Sequence, residues 1–216
     1  MRLIGAFITL AALFMSATAN AQPVTYQITP MALRPYAKVA LNTTFQFNLE
    51  ENEAGIVSTA EIDPGLGITG ALGVELAPEF DVELELSSYR GSVDFRNVAG
   101  VATTYVPEED IMLNSLMING FYKFAPVSNA RFKLGGGIGY GQYVLTDTAL
   151  LKHRGSGIVY QVKGIGEYDL TPNIAFSAEG GYIGTTDFDV DLTGSTVTRD
   201  TALDGITLGT GLKAKF

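Results

Sequence analysis

The last sixteen residues, Thr201 to Phe216, carry two different faces in strict alternation. Phe216, Ala214, Leu212, Thr210, Leu208 and Ile206 share one face, and Lys215, Lys213, Gly211, Gly209, Thr207 and Gly205 share the other. A period of two is the signature of an extended strand, because successive side chains point to opposite sides of it. One side of this strand is apolar. The other is glycine and lysine, a poor surface for a packed core.

Eight segments alternate in this way, over 34–48, 65–76, 79–89, 110–124, 130–145, 157–170, 173–184 and 201–216. The clearest is Phe80-Asp81-Val82-Glu83-Leu84-Glu85-Leu86, with four apolar residues on one face and three carboxylates on the other. In 130–145, Gly135, Gly137, Gly139 and Gly141 line one face while Phe132, Leu134, Ile138 and Tyr140 line the opposite one. A glycine face predicts a narrow lumen of polar side chains, with the apolar face turned outward. Hydrophobic residues make up 46% of the chain, yet past its start no apolar run reaches the roughly 20 residues a spanning helix needs. Such a chain crosses a bilayer only as strands closed on themselves, since lipid satisfies no backbone hydrogen bond. The expected fold is an all-β, eight-stranded antiparallel transmembrane β-barrel.

The connections orient it. Those after the second, fourth and sixth segments are short and contain Pro78, Pro126 and Pro172, and the others are long, polar and glycine-containing. Proline favours turns and cannot donate to a ladder. Short turns on the periplasmic side and long loops outside are the pattern of spanning barrels. Phe80, Tyr122, Phe124, Phe132, Tyr168, Phe176 and Phe216 fall near the short turns, and Phe45, Phe47, Tyr140, Tyr160 and Tyr182 nearer the loops. Two aromatic girdles are expected of a barrel in a membrane.

Residues 1–21 read as an export signal: Arg2, an apolar stretch over 3–15, and the small-x-small site Ala19-Asn20-Ala21, with cleavage expected after Ala21. A periplasmic lead-in over 22–33 and the barrel over 34–216 complete the domain organisation. The formal net charge of −9 becomes one unit more negative once Arg2 is removed, which excludes the basic footprint that nucleic-acid binding needs. Cysteine is absent, so no disulfide supplies rigidity.

The runs Phe132-Lys133-Leu134-Gly135-Gly136-Gly137-Ile138-Gly139-Tyr140 and Gly166-Glu167-Tyr168-Asp169-Leu170-Thr171-Pro172-Asn173 resemble the glycine-rich strand and Leu-Thr-Pro-Asn turn of small outer-membrane barrels. That group comprises OmpA-like barrels, opacity-type surface antigens and small porin-family proteins. The resemblance implies residence in the outer membrane of a Gram-negative bacterium and a structural or surface-exposed role, either in envelope integrity or in presenting loops as an antigen or adhesin. It implies outer-membrane lipid and lipopolysaccharide as surroundings, and a barrel-assembly machinery that reads Phe216, Ala214 and Leu212. Host or envelope proteins would be met through the loops. A narrow channel for ions or small solutes is the alternative reading.

Within the lumen, alternation directs Lys38, Lys123, Arg131, Lys133, Lys163, Lys213 and Lys215 inward, together with Glu75, Asp81, Glu83, Glu85, Glu167, Asp169 and Glu179. Charges in a narrow, dry interior must pair, so a salt-bridged plug is expected on the periplasmic side. The outer half, with Asn42, Thr44, Gln46, Ser87, Asn119 and the inward glycines, is expected to hold water. Asp187-x-Asp189-x-Asp191 has oxygen ligands suited to a divalent cation, but it alternates like an emerging strand, so a solvated extension is expected and no metal or cofactor. His153, Ser156 and Glu167 faintly resemble the catalytic set of outer-membrane lipid A deacylases. Their spacing departs from that family's, and Glu167 sits near the periplasmic turn, out of reach of a roughly 3 Å relay. A non-enzymatic protein is expected.

Overall fold

A computed structural model describes residues 33–53, 56–98, 101–103, 109–146, 152–186, 188–191 and 198–216. The expected export signal, and all of the lead-in but Leu33, lie outside them. The described strands are β1 (Arg34–Glu53), β2 (Ile56–Ile62), β3 (Leu66–Ala77), β4 (Phe80–Val98), β5 (Val101–Thr103), β6 (Glu109–Lys123), β7 (Ala130–Thr146), β8 (Lys152–Asp169), β9 (Ile174–Thr185), β10 (Phe188–Asp191) and β11 (Thr198–Lys215).

Eight of these form a closed antiparallel ring in the order β1, β3, β4, β6, β7, β8, β9, β11. The ring closes where β1 meets β11, from Tyr36 opposite Lys215 to Asn52 opposite Asp200. Phe216 donates its backbone N–H to the Pro35 carbonyl at 3.0 Å and so ends the seam. Closure leaves no strand edge in the wall, which the interior of a bilayer requires.

The short strands β2 and β5 correct the sequence reading, which left their residues in loops, whereas β10 is the strand extension expected of the run that holds Asp189 and Asp191. Above Thr43 and Leu66, β1 stops pairing with β3 and pairs with β2, from Phe47 opposite Ile62 to Glu53 opposite Ile56. Asp63-Pro64-Gly65 makes the break between β2 and β3. Pro64 has no N–H to give a ladder, and the gap is stitched by Thr44 N–H to the Gly65 carbonyl at 3.0 Å and Gly65 N–H to Thr44 Oγ1 at 2.9 Å. β10 pairs with both β8 and β11. The wall thus continues beyond the eight segments read from alternation, because main-chain pairing does not depend on the pattern of the side chains. Glu50, Glu51 and Glu53 accordingly belong to β1, and Glu61 to β2.

The outward face is apolar from Phe80, Val82, Leu84 and Leu86 on β4 to Leu208 and Leu212 on β11, all substantially exposed. At the short-turn end, Phe80, Tyr122, Phe124 and Phe132 touch ring to ring in sequence, with centroids 5.1 to 5.5 Å apart. At the loop end, the Tyr160 and Tyr182 rings lie 6.4 Å apart. In the last short turn, Thr171 Oγ1 accepts from the backbone N–H groups of Asn173 at 3.3 Å and Ile174 at 3.0 Å, a local hydrogen-bonded turn on Thr-Pro-Asn.

Candidate functional site

The barrel interior holds two charged layers and an apolar cap. Next to the short turns, Asp81 meets Lys123 at 2.6 Å and Lys133 at 2.5 Å, and Lys133 also meets Glu167 at 2.7 Å. Lys213 lies 3.3 Å from Glu75, 3.5 Å from Glu167 and 3.8 Å from Asp81, while Lys123 reaches Glu75 at 3.9 Å. At the more exposed rim, Arg131 spans Glu167 and Asp169 at 3.8 Å each, and Lys215 pairs with Asp169. The second layer is higher. Lys38 sits between Glu83 at 3.2 Å and Glu179 at 3.1 Å, and Lys163 between Glu85 at 3.0 Å and Glu179 at 3.9 Å. Each of the fourteen inward charges therefore has an opposite charge beside it.

Gln161 and Tyr36, which the sequence reading left out, complete these layers together with Asn119, which it had assigned to the outer half. Gln161 donates to Glu85 at 3.1 Å and to the Asn119 carbonyl oxygen at 2.7 Å, and Asn119 donates to Glu85 at 3.1 Å. Tyr36 joins the layers: its hydroxyl donates to Glu83 at 2.7 Å, and the Lys213 ammonium sits 3.7 Å from the centre of its ring. Parity with Lys38 places Tyr36 on the inner face, so alternation alone carries the signal for it.

Above the charges the interior changes character. Asn42 donates to Thr69 at 2.8 Å, and the Ser87 and Ser115 hydroxyls lie 2.6 Å apart. Beyond them Ile62, Tyr89, Ile111, Leu113, Met117, Tyr143, Val159, Ile183 and Leu203 form one buried apolar cluster. This corrects the expectation of a water-holding outer half. A cavity of about 10 Å³ against Thr44, Ile62, Tyr89, Leu113 and Leu203 offers room for at most a single water. Gln46 has no described side chain.

The glycines explain how a narrow barrel holds such groups. A Cβ on Gly139 would run into Met117 and the Leu116 carbonyl, one on Gly135 into Phe121, one on Gly137 into Asn119, and one on Gly141 into Val159. The bare inner face of β7 is the space into which large side chains of β6 and β8 lean. On β3, Gly73 does the same for the Tyr36 ring. A glycine face is therefore compatible with a packed interior when its neighbours are large. The cluster escaped the sequence reading because Ile111-Met112-Leu113 and Leu116-Met117-Ile118 are apolar on both faces of β6, which erases the alternation there.

The remaining sequence candidates lie apart. Ser156 is exposed on the outer wall and accepts a hydrogen bond from the Tyr140 hydroxyl at 2.6 Å, whereas Glu167 belongs to the lower charged layer. His153 and Lys152 are in β8, with no described side chain for either. Asp189 and Asp191 are in β10, opposite Asp200 and Thr198 of β11, and Asp187 lies outside the described residues. Phe216 is exposed, Leu212 faces outward and Ala214 is partly covered.

A family model described as outer membrane protein beta-barrel domain matches residues 7–216. No curated protein matches the chain. Among solved structures, Neisserial surface protein A is 16% identical, with 86% of this chain and 100% of that chain covered and a TM-score of 0.56. A major outer membrane protein from Thermus thermophilus is 14% identical over 86% and 100%, with a TM-score of 0.55. The outer membrane protein OprG from Pseudomonas aeruginosa is 15% identical over 86% and 96%, with a TM-score of 0.52. At such identities the likeness is one of fold.

Proposed function

The chain belongs to the outer membrane protein beta-barrel domain family, and on that premise we propose that it is a non-conducting, non-enzymatic barrel of the bacterial outer membrane whose work is done at its surface. The observation that carries this is the interior. A layered ion-pair network and an apolar cluster stand in series along the barrel axis, and eight strands leave an interior that side chains just fill. The long-loop side, where β2, β5 and β10 extend the wall, is then the part free to meet a host, ligand or envelope partner. In this reading residues 1–21 are an export signal removed after Ala21, residues 22–33 a periplasmic lead-in, and Phe216, Ala214 and Leu212 the signal read by the assembly machinery. Outer-leaflet lipopolysaccharide surrounds the outer end of the barrel.

Refolded protein in a planar bilayer tests it. The expected result is silence across the physiological voltage range, and a steady unitary conductance would replace this reading with the narrow channel.

A further inference from the structure

From the outer wall of the barrel, and resting on the orientation proposed above, we infer that the face formed by β1, β3, β4, β6 and β7 is a docking site for one phosphate-bearing glycolipid of the outer leaflet. The wall is not smooth there. A groove of about 570 Å³ runs across it, with Val39, Ile68, Leu86, Leu116 and Tyr140 as its apolar sides. Gly70 is its floor: a Cβ built there meets nothing within 4 Å, so the depression exists because that side chain is missing. An acyl chain has the chemistry to fill an apolar furrow that faces lipid.

The upper rim of the groove is polar. Ser88, Asn114 and Gln142 line it and are direct neighbours across three adjacent strands, with Ser88 opposite Asn114 and Asn114 opposite Gln142. They make one row of hydrogen-bonding groups where the apolar band stops. One pleat further out, Arg90 follows Ser88 on the same face of β4 and is exposed. In its row come Met112, Val144 and then Arg154, also exposed. Two guanidinium groups therefore stand above the polar row, separated by three strand spacings, about 14 Å. Arginine is suited to phosphate because its fork of donors matches phosphate oxygens. The chain as a whole is acidic, at −9. A cationic, hydrogen-bonding rim directly above an acyl-sized groove is thus a local feature that complements an anionic lipid headgroup. Asp110 lies outward beyond Arg90, and Asp191 of β10 stands opposite Arg154 in register, so acidic residues bound the cationic stretch at both ends and leave Arg90 as its centre.

Full-length protein refolded into phosphatidylcholine nanodiscs tests the site. The discs carry bisphosphorylated lipid A, its dephosphorylated form or phosphatidylglycerol at equal mole fraction, and lipid retained after transfer to mild detergent is counted by native mass spectrometry. Wild type is expected to retain the bisphosphorylated glycolipid about tenfold over either alternative, the scale of one charge-assisted hydrogen bond. Gly70→Leu, whose Cβ meets nothing within 4 Å and whose side chain would occupy the groove, and Arg90→Gln should each abolish that preference, while Ala178→Leu on the far wall leaves it intact. Equal retention of dephosphorylated lipid or of phosphatidylglycerol would overturn the inference. So would an unchanged preference in Gly70→Leu, an equal loss in Ala178→Leu, or a dimer mass that Gly70→Leu removes. Heat-modifiable migration on gels reports barrel formation separately, so failure of the fold is read apart from failure of the site.

Discussion

Tyr36 is the residue on which the interior turns, because it is bonded in two directions by two kinds of chemistry. Its hydroxyl serves Glu83 in the upper charged layer and its ring faces Lys213 in the lower one. Tyr36→Phe keeps the ring and removes one donor to a buried carboxylate, so a loss of about 1–3 kcal/mol is expected in urea unfolding of the refolded barrel. Lys163→Met should cost more, about 3–5 kcal/mol, because Glu85 is left as a buried charge without its cation. Adding Glu85→Gln to Lys163→Met should recover most of that loss, since no buried charge is left and the amide oxygen still accepts from Asn119 or Gln161. A double variant as unstable as the single one would show that the ion pair itself, and not the orphaned charge, carries the stability.

Between neighbouring strands, size is exchanged. Gly141 of β7 leaves room for the Val159 side chain of β8, with the Asn114 carbonyl and Leu113 at 3.3 and 3.4 Å from the place a Cβ would take. Gly141→Ala should therefore destabilise the barrel by about 1–3 kcal/mol through overpacking. Val159→Ala leaves a cavity and should cost a similar amount alone. In combination the two should cost clearly less than their sum, by about 0.5–3 kcal/mol in a double-mutant cycle. Strict additivity would mean that the two side chains do not share a space. At the turn between β6 and β7, Ser128 adopts φ 56°, a left-handed conformation that β-branched residues resist. Ser128→Val should cost about 1–2 kcal/mol by the same urea measurement.

Across the whole barrel, two barriers of different chemistry lie in series, and that order has an electrical consequence. Changing Glu83 and Glu85 to Gln loosens the charged layers and leaves the cap of Leu113, Met117 and Tyr143 in place. This variant is expected to remain silent in a planar bilayer. Leakage should begin only when Met117→Gly and Tyr143→Ala are added, because an ion must pass both a desolvating apolar stretch and the network below it. Conductance in the double Gln variant alone would assign the whole seal to the ion pairs.

Alternation by itself determined that this chain is a two-faced strand protein: the apolar set of Phe80 to Leu86 and the strand ending on Phe216 admit only extended structure, and prolines at three short turns set the direction of the ring. Those are local properties, fixed by backbone geometry and readable one strand at a time. What fills the barrel was decided only in three dimensions. Lys163 and Glu85 are 78 positions apart, and Met117 finds its room over Gly139 because register sets one strand's side chain above the next strand's glycine. Burial inside a closed ring belongs to several strands at once: parity with Lys123 marks Leu113 as inward, but only the neighbouring strands decide that it meets an apolar cluster there and not a charge.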